Sequence, residues 1–177
     1  MKVSIFKSLL VGIGIFALSA FAANAQDTKW SVGVNGLYGT EIKSFAVGAK
    51  LQYDVTNHIR LEDAFNYFFK KDGVSMWEEN LNVHYLFNIT DNLRFYPLAG
   101  FTVVGVKFDS SIDIPKEYQQ YIPDAGSSSS DIYFGANLGA GIEYLLTSHL
   151  AVGVEGKYSL VKDVDQAVFG VGITYKF

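Results

Sequence analysis

Ser148 and His149 are adjacent, and Glu143 precedes them by five residues. A hydroxyl, an imidazole and a carboxylate are the groups of a hydrolase. Their setting points elsewhere. Thr147-Ser148-His149 repeats a pattern already present at Thr56-Asn57-His58 and Thr90-Asp91-Asn92. Ser and His therefore stand where Asn, Asp and Asn also serve, which is turn chemistry without an assembled nucleophile and base. No catalytic residue and no enzymatic activity are expected. The three histidines, His58, His84 and His149, show no metal-ligand spacing, so neither a metal nor another cofactor is expected. The groups that do form a pattern are charged. Lys50, Arg60, Arg94 and Lys157 balance Glu62, Glu78, Glu143 and Glu155, a set suited to mutual ion pairing in a confined space. Arg60, Arg94 and Glu143 each lie four residues from the nearest patterned Thr, and Lys50 and Glu62 each lie six from Thr56. That count sets Lys50 opposite Glu62 across the Thr56 turn, within cross-strand reach. Glu78, Glu155 and Lys157 lie farther from the turns.

What must position these charges is a set of strands. The full repeat runs Tyr53 to Ile59, Phe87 to Leu93 and Tyr144 to Leu150: an aromatic, a tight polar turn built on Thr, then an aliphatic that restarts a strand. The Thr positions are 34 and then 57 residues apart, and the longer gap holds one insertion, Lys107 to Asp131. Three such turns on one side and four connections on the other make eight antiparallel strands. Between the turns the sequence alternates. Phe45, Val47, Ala49, Leu51 and Tyr53 oppose Gly48, Lys50 and Gln52; Phe169, Val171, Ile173, Tyr175 and Phe177 oppose Gly170, Gly172, Thr174 and Lys176. The other strands follow the same rule, with one irregular member. In the fifth, Leu98, Val104 and Val106 share the face of Arg94 and Tyr96. Asp63 also stands out, because its parity places it on the apolar face. A β-bulge at Glu62-Asp63 is the expected remedy, and a contact with a second protomer the alternative.

Lys2 and Lys7, the apolar stretch Leu9 to Ala22 and the small-x-small site Ala23-Asn24-Ala25 make a secretory signal peptide, residues 1–25, ahead of one domain at 26–177. Removing Lys2 and Lys7 from the 14 basic residues leaves 12 against 18 acidic ones, a formal charge of −6. An acidic exported chain is a poor nucleic-acid partner. Cysteine is absent, so hydrogen bonding and burial alone must hold the fold. After the signal no apolar run is long enough for a spanning helix, yet 49% of the chain is hydrophobic and 15% aromatic.

Alternation also suits a soluble secreted ligand-binding barrel, but such a barrel keeps its apolar face inside. Here the other face carries charges and small residues. Aromatics gather at both strand ends, with Trp30, Tyr53, Phe87, Phe95, Tyr144 and Phe177 near the Thr turns and Tyr38, Tyr67, Trp77, Tyr158 and Phe169 opposite. Two girdles around a plain apolar band are the mark of a membrane barrel, and strands of about ten residues can cross a bilayer core. The chain therefore reads as an all-β, eight-stranded, antiparallel, up-and-down transmembrane barrel.

With its signal peptide, three short turns and a long loop opposite them, the chain resembles the small Gram-negative outer-membrane barrels of OmpA/OmpX type and the related porin-family barrels. Its end, Ile173-Thr174-Tyr175-Lys176-Phe177, is similar to the signal read by the barrel-insertion machinery, carried by Tyr175 and Phe177. The resemblance implies location in the outer membrane among lipid and lipopolysaccharide, with turns in the periplasm and loops outside. Hydrolases among such barrels work at the outer leaflet, whereas Ser148 and His149 would face the periplasm. The function expected is a structural or surface-interaction role with a lumen filled by the eight charged residues; a narrow channel for ions or small solutes is the alternative. The 107–131 insertion is the candidate surface contact, with Tyr118 and Tyr121 on one face of a helical turn started by Pro115.

Overall fold

Segments that alternate apolar and polar residues cannot leave amides unpaired in hydrocarbon, so they must pair edge to edge until the sheet closes. A computed structural model describes residues 29–109, 128–162 and 164–177. It contains β1 (Trp30–Gly39), β2 (Ser44–Asp54), β3 (Ile59–Lys71), β4 (Val74–Tyr85), β5 (Phe87–Asn88), β6 (Leu93–Asp109), β7 (Ser128–Leu145), β8 (Leu150–Val161) and β9 (Gln166–Lys176). The short β5 continues β4 past Leu86, so the nine segments form eight staves. Each stave pairs antiparallel with its neighbour. β1 pairs β9, and β4 pairs β6 across the short β5, which closes the barrel.

The three Thr turns share one geometry. Thr56 Oγ1 accepts the N–H groups of His58 at 3.2 Å and Ile59 at 3.0 Å. Thr90 does the same for Asn92 and Leu93, at 3.3 and 3.0 Å, and Thr147 for His149 and Leu150, at 3.2 and 3.0 Å. Thr recurs because one hydroxyl oxygen can satisfy two amides that the hairpin leaves over. At the other end, Asp72 and Gly73 make a two-residue turn between Lys71 and Val74, with φ of 50° and 82°. Positive φ at both positions is the hairpin geometry that Asp-Gly favours.

The outward face is apolar. Phe101 and Phe134, both near mid-strand, are each 75% exposed, which is stable only under a cover of hydrocarbon. A soluble ligand-binding barrel has the opposite arrangement, so that reading is set aside. Rings pair at both rims: Trp30 with Tyr53 at 4.5 Å and Tyr85 with Phe87 at 4.8 Å on the turn side, Tyr38 with Phe45 at 5.2 Å on the loop side.

Two expectations need correction. No bulge interrupts β3 at Glu62-Asp63. Glu62 pairs Asn82 and Asp63 pairs Leu81 in unbroken register, and the shift in this hairpin falls between Phe68 and Lys71. Asp63 stays on the lipid face, where its carboxyl lies beside that of Glu79, another outward residue two positions from Asp63's partner Leu81. The insertion is also shorter than 107–131. β6 and β7 keep pairing through Lys107 with Ser130 to Asp109 with Ser128. The connection is 110–127; Tyr118 and Tyr121 lie outside the described residues, as do residues 1–25.

Candidate functional site: the filled lumen

Alternation sends every second side chain inward, and the inward set forms tiers. On the turn side, Arg60 is the first inward residue of β3. Its Nε donates to Asp54 Oδ1 at 2.7 Å and its Nη1 to Glu143 Oε2 at 3.0 Å. Glu143 also accepts from Arg94 Nη1 at 3.5 Å, across a direct β6–β7 pair. Lys176 Nζ donates to Asp54 Oδ2 at 2.9 Å. Asp54 and Lys176 were not among the eight charged residues singled out in the sequence, although they share the parity of Gln52 and Thr174 and so were legible there.

One tier higher lie Glu62, His84 and Glu155. Gln52 Nε2 donates to Glu62 Oε2 at 2.7 Å and Asn82 Nδ2 to Glu62 Oε1 at 3.2 Å. Lys50 is not opposite Glu62. Its register partner is Ala64, Gln52 faces Glu62, and Lys50 Nζ reaches Glu62 Oε2 diagonally at 3.7 Å. The reason is the turn. Asp54 pairs Arg60, Phe87 pairs Phe95 and Leu145 pairs Ala151, so each hairpin is centred one residue past its Thr. Counting from Thr itself displaces the partner by two. The Tyr96 hydroxyl donates to Glu155 Oε2 at 3.0 Å, and its ring stacks on His84 at 4.7 Å. Gly141 gives Tyr96 its space, since a Cβ there would collide with the ring.

Above this, Lys157 Nζ donates to Glu78 Oε1 at 2.7 Å and to Asn80 Oδ1 at 2.9 Å. Asn66 Nδ2 donates to the same Glu78 oxygen at 2.8 Å, and Asn137 Nδ2 to Asn80 Oδ1 at 2.8 Å. Amide side chains thus bridge the charges, which offsets part of the cost of holding ions in a buried space. All eight charged residues lie in the lumen, joined by seven neighbours from the polar set: Gln52, Asp54, Asn66, Asn80, Asn82, Asn137 and Lys176.

The loop-side end of the lumen is different in kind. Leu37, Ala46, Phe68, Met76, Val104, Val106, Val161 and Val168 form a buried apolar cluster. This is the reason for the irregular fifth strand: Val104 and Val106 point inward into the cap, while Leu98 joins Leu86 and Tyr96 lower down. The cap was missed because its members come from strands whose inward faces are otherwise polar.

The hydroxyl–imidazole pair lies outside the lumen. Ser148 Oγ and His149 Nδ1 are 2.8 Å apart in an exposed turn, and Glu143 is engaged with Arg60 and Arg94. The His149 ring stacks instead on Tyr175 at 6.0 Å. Tyr175 is exposed toward lipid and its ring meets Phe177 edge-on at 5.5 Å.

The closed eight-stranded barrel has counterparts. The outer membrane protein beta-barrel domain family matches residues 8–177. The chain belongs to that family. As an outer-membrane barrel it is similar in fold to the N-terminal barrel of Pseudomonas aeruginosa OprF, with a TM-score of 0.65 at 18% identity over 85% of this chain and 98% of that one. Neisserial surface protein A gives a TM-score of 0.64 at 16% identity, covering 84% and 97%. Ail, the attachment invasion locus protein of Yersinia pestis, gives 0.58 at 19%, covering 84% and 96%. No curated protein sequence matches the chain. The chain thus shares its architecture with barrels of diverged sequence.

Proposed function

We propose that this protein is a non-enzymatic outer-membrane barrel that does not conduct, with a structural or surface-interaction role exerted on its loop side. The observation that supports this most is the double closure of the lumen: an apolar cap over a bridged ion network. An apolar constriction resists wetting, and ions fixed by neighbouring amides are not free to escort a solute. With the lumen closed, the outer surface is where partners can act. Tyr118 and Tyr121 in the 110–127 connection are the candidate contacts, among lipopolysaccharide and surface ligands. Tyr175 and Phe177 serve insertion by the barrel machinery, after removal of residues 1–25 as a signal peptide. A structure of Ail holds sucrose octasulfate, a heparin analogue. The 110–127 connection carries Asp113, Glu117 and Asp124 against Lys116 alone, which disfavours a polyanion and suits cationic or cation-bridged partners.

The second reading, a narrow ion channel, rests on one observation. Glu143 is shared by Arg60 and Arg94, at 3.0 and 3.5 Å, so the floor of the network has two alternative pairings. Planar-bilayer recording of the purified protein decides between them. Silence from protein whose gel mobility shifts on heating in dodecyl sulfate supports the closed barrel. Reproducible unit currents, altered by Arg94→Gln, overturn it in favour of the channel.

A further inference from the structure

Between the Arg60–Glu143 tier and the Lys157–Glu78 tier, three inward side chains from three strands converge. Glu62 on β3, His84 on β4 and Glu155 on β8 each offer a donor atom, and these atoms all lie within 4.8 Å of one another. His84 is fully buried, and neither of its ring nitrogens has a hydrogen-bond partner among the described residues. A buried polar group is normally hydrogen-bonded, and this imidazole, aimed between two carboxylates, has only an ion-pair contact with Glu62, which leaves its ring nitrogens open to a ligand. Its Nε2 stands 3.5 Å from Glu62 Oε1.

We propose that Glu62, His84 and Glu155 bind one divalent transition-metal ion of the zinc class inside the barrel. One imidazole nitrogen and two carboxylate oxygens are a borderline donor set suited to such ions. With metal bonds near 2.1 Å, ligand atoms on a tetrahedral ion stand about 3.4 Å apart, so the three groups need only draw together slightly. The surroundings are those of a built site. Gln52 and Asn82 hold the Glu62 carboxylate, the Tyr96 hydroxyl holds Glu155, and the Tyr96 ring fixes the plane of His84. Such outer contacts orient ligands and sharpen affinity. Lys50 faces the Glu62 oxygen turned away from His84, which leaves the other Glu62 oxygen beside the imidazole. An ion here would tie β3 and β4 to β8 across the lumen. Because the lumen is closed on both sides of the site, the ion enters as the barrel folds.

The test is to refold the protein, purified from outer membranes, in detergent with Co²⁺, then remove unbound metal and count cobalt per folded barrel. The expected result is one Co²⁺ per barrel with visible ligand-field absorption, displaced by Zn²⁺. His84→Gln and Glu155→Gln should each weaken binding at least tenfold, while a His58→Ala, His149→Ala double variant keeps it. Should His84→Gln fail to give the heat-shifted gel band of a folded barrel, Glu155→Gln carries the test, since its carboxylate's hydrogen-bond partner is Tyr96 alone among the described residues. Folded wild-type barrel without stoichiometric cobalt overturns the proposal, as does binding that survives both lumen substitutions or vanishes with the turn histidines.

Discussion

Arg60 bridges two carboxylates of the lumen floor, reaching Asp54 at 2.7 Å and Glu143 at 3.0 Å from a side chain only 3% exposed. Arg94 shares Glu143 but is 22% exposed on its side chain. Removing the buried partner leaves charges with no solvent to take its place, and such losses run to about 3–5 kcal/mol. Arg60→Ala should therefore lower the urea-unfolding free energy of the barrel in lipid vesicles by roughly that amount. Arg94→Ala should cost less than about 1 kcal/mol, as expected for a solvent-screened pair. Equal losses would mean that Arg60 is not the centre of the floor network. The outward pair Asp63 and Glu79 predicts the opposite sign. Carboxyl groups on the lipid face are unfavourable, less so than Lys or Arg. Replacing both by Leu should stabilise the barrel by about 1–3 kcal/mol in the same assay, and a destabilised double variant would show that the pair serves a contact within the membrane. At this scale the common layer of Arg60, Arg94 and Glu143 was legible from parity and distance to Thr. Lys50 was misplaced, because a hairpin centre one residue past Thr cannot be read from composition.

Among the elements, the Thr turns carry the most information for their size. Each Thr Oγ1 accepts two backbone N–H groups, as Thr90 does for Asn92 and Leu93. Thr90→Ala frees both amides to water in an exposed turn and should cost about 1 kcal/mol. The Ser variant, which keeps the oxygen, should recover most of it; equal loss for Ala and Ser would assign the effect to the Thr methyl group. Strand boundaries were less legible than turns. β6 and β7 extend in pairs to Asp109 and Ser128, where Ser-rich sequence carries no strand signal, because pairing with a neighbour overrides weak local preference.

For the molecule as a whole, the proposed closure of the lumen makes a prediction about current. With the cap intact, Arg60→Ala alone should leave planar bilayers silent, because Phe68 and Met76 still block the loop-side end. Combining it with Phe68→Ala and Met76→Ala should open both obstructions and give small unit currents, and a silent triple variant that remains folded would show that the middle tier suffices as a plug. The strand count, the inward and outward faces, the girdles and the turn side are set by local facts: period-two alternation, repeated Thr turns and the need to pair every amide in hydrocarbon. Those facts act along one strand at a time, which is why the sequence alone determined them. The contacts across the barrel obey no such local rule. Glu155 meets Glu62 and His84, Lys157 meets Glu78, and Phe68 meets Val161 and Val168 only because closure brings β8 and β9 face to face with β3 and β4. Stagger and barrel radius fix which inward residues share a height, and they are properties of the closed sheet.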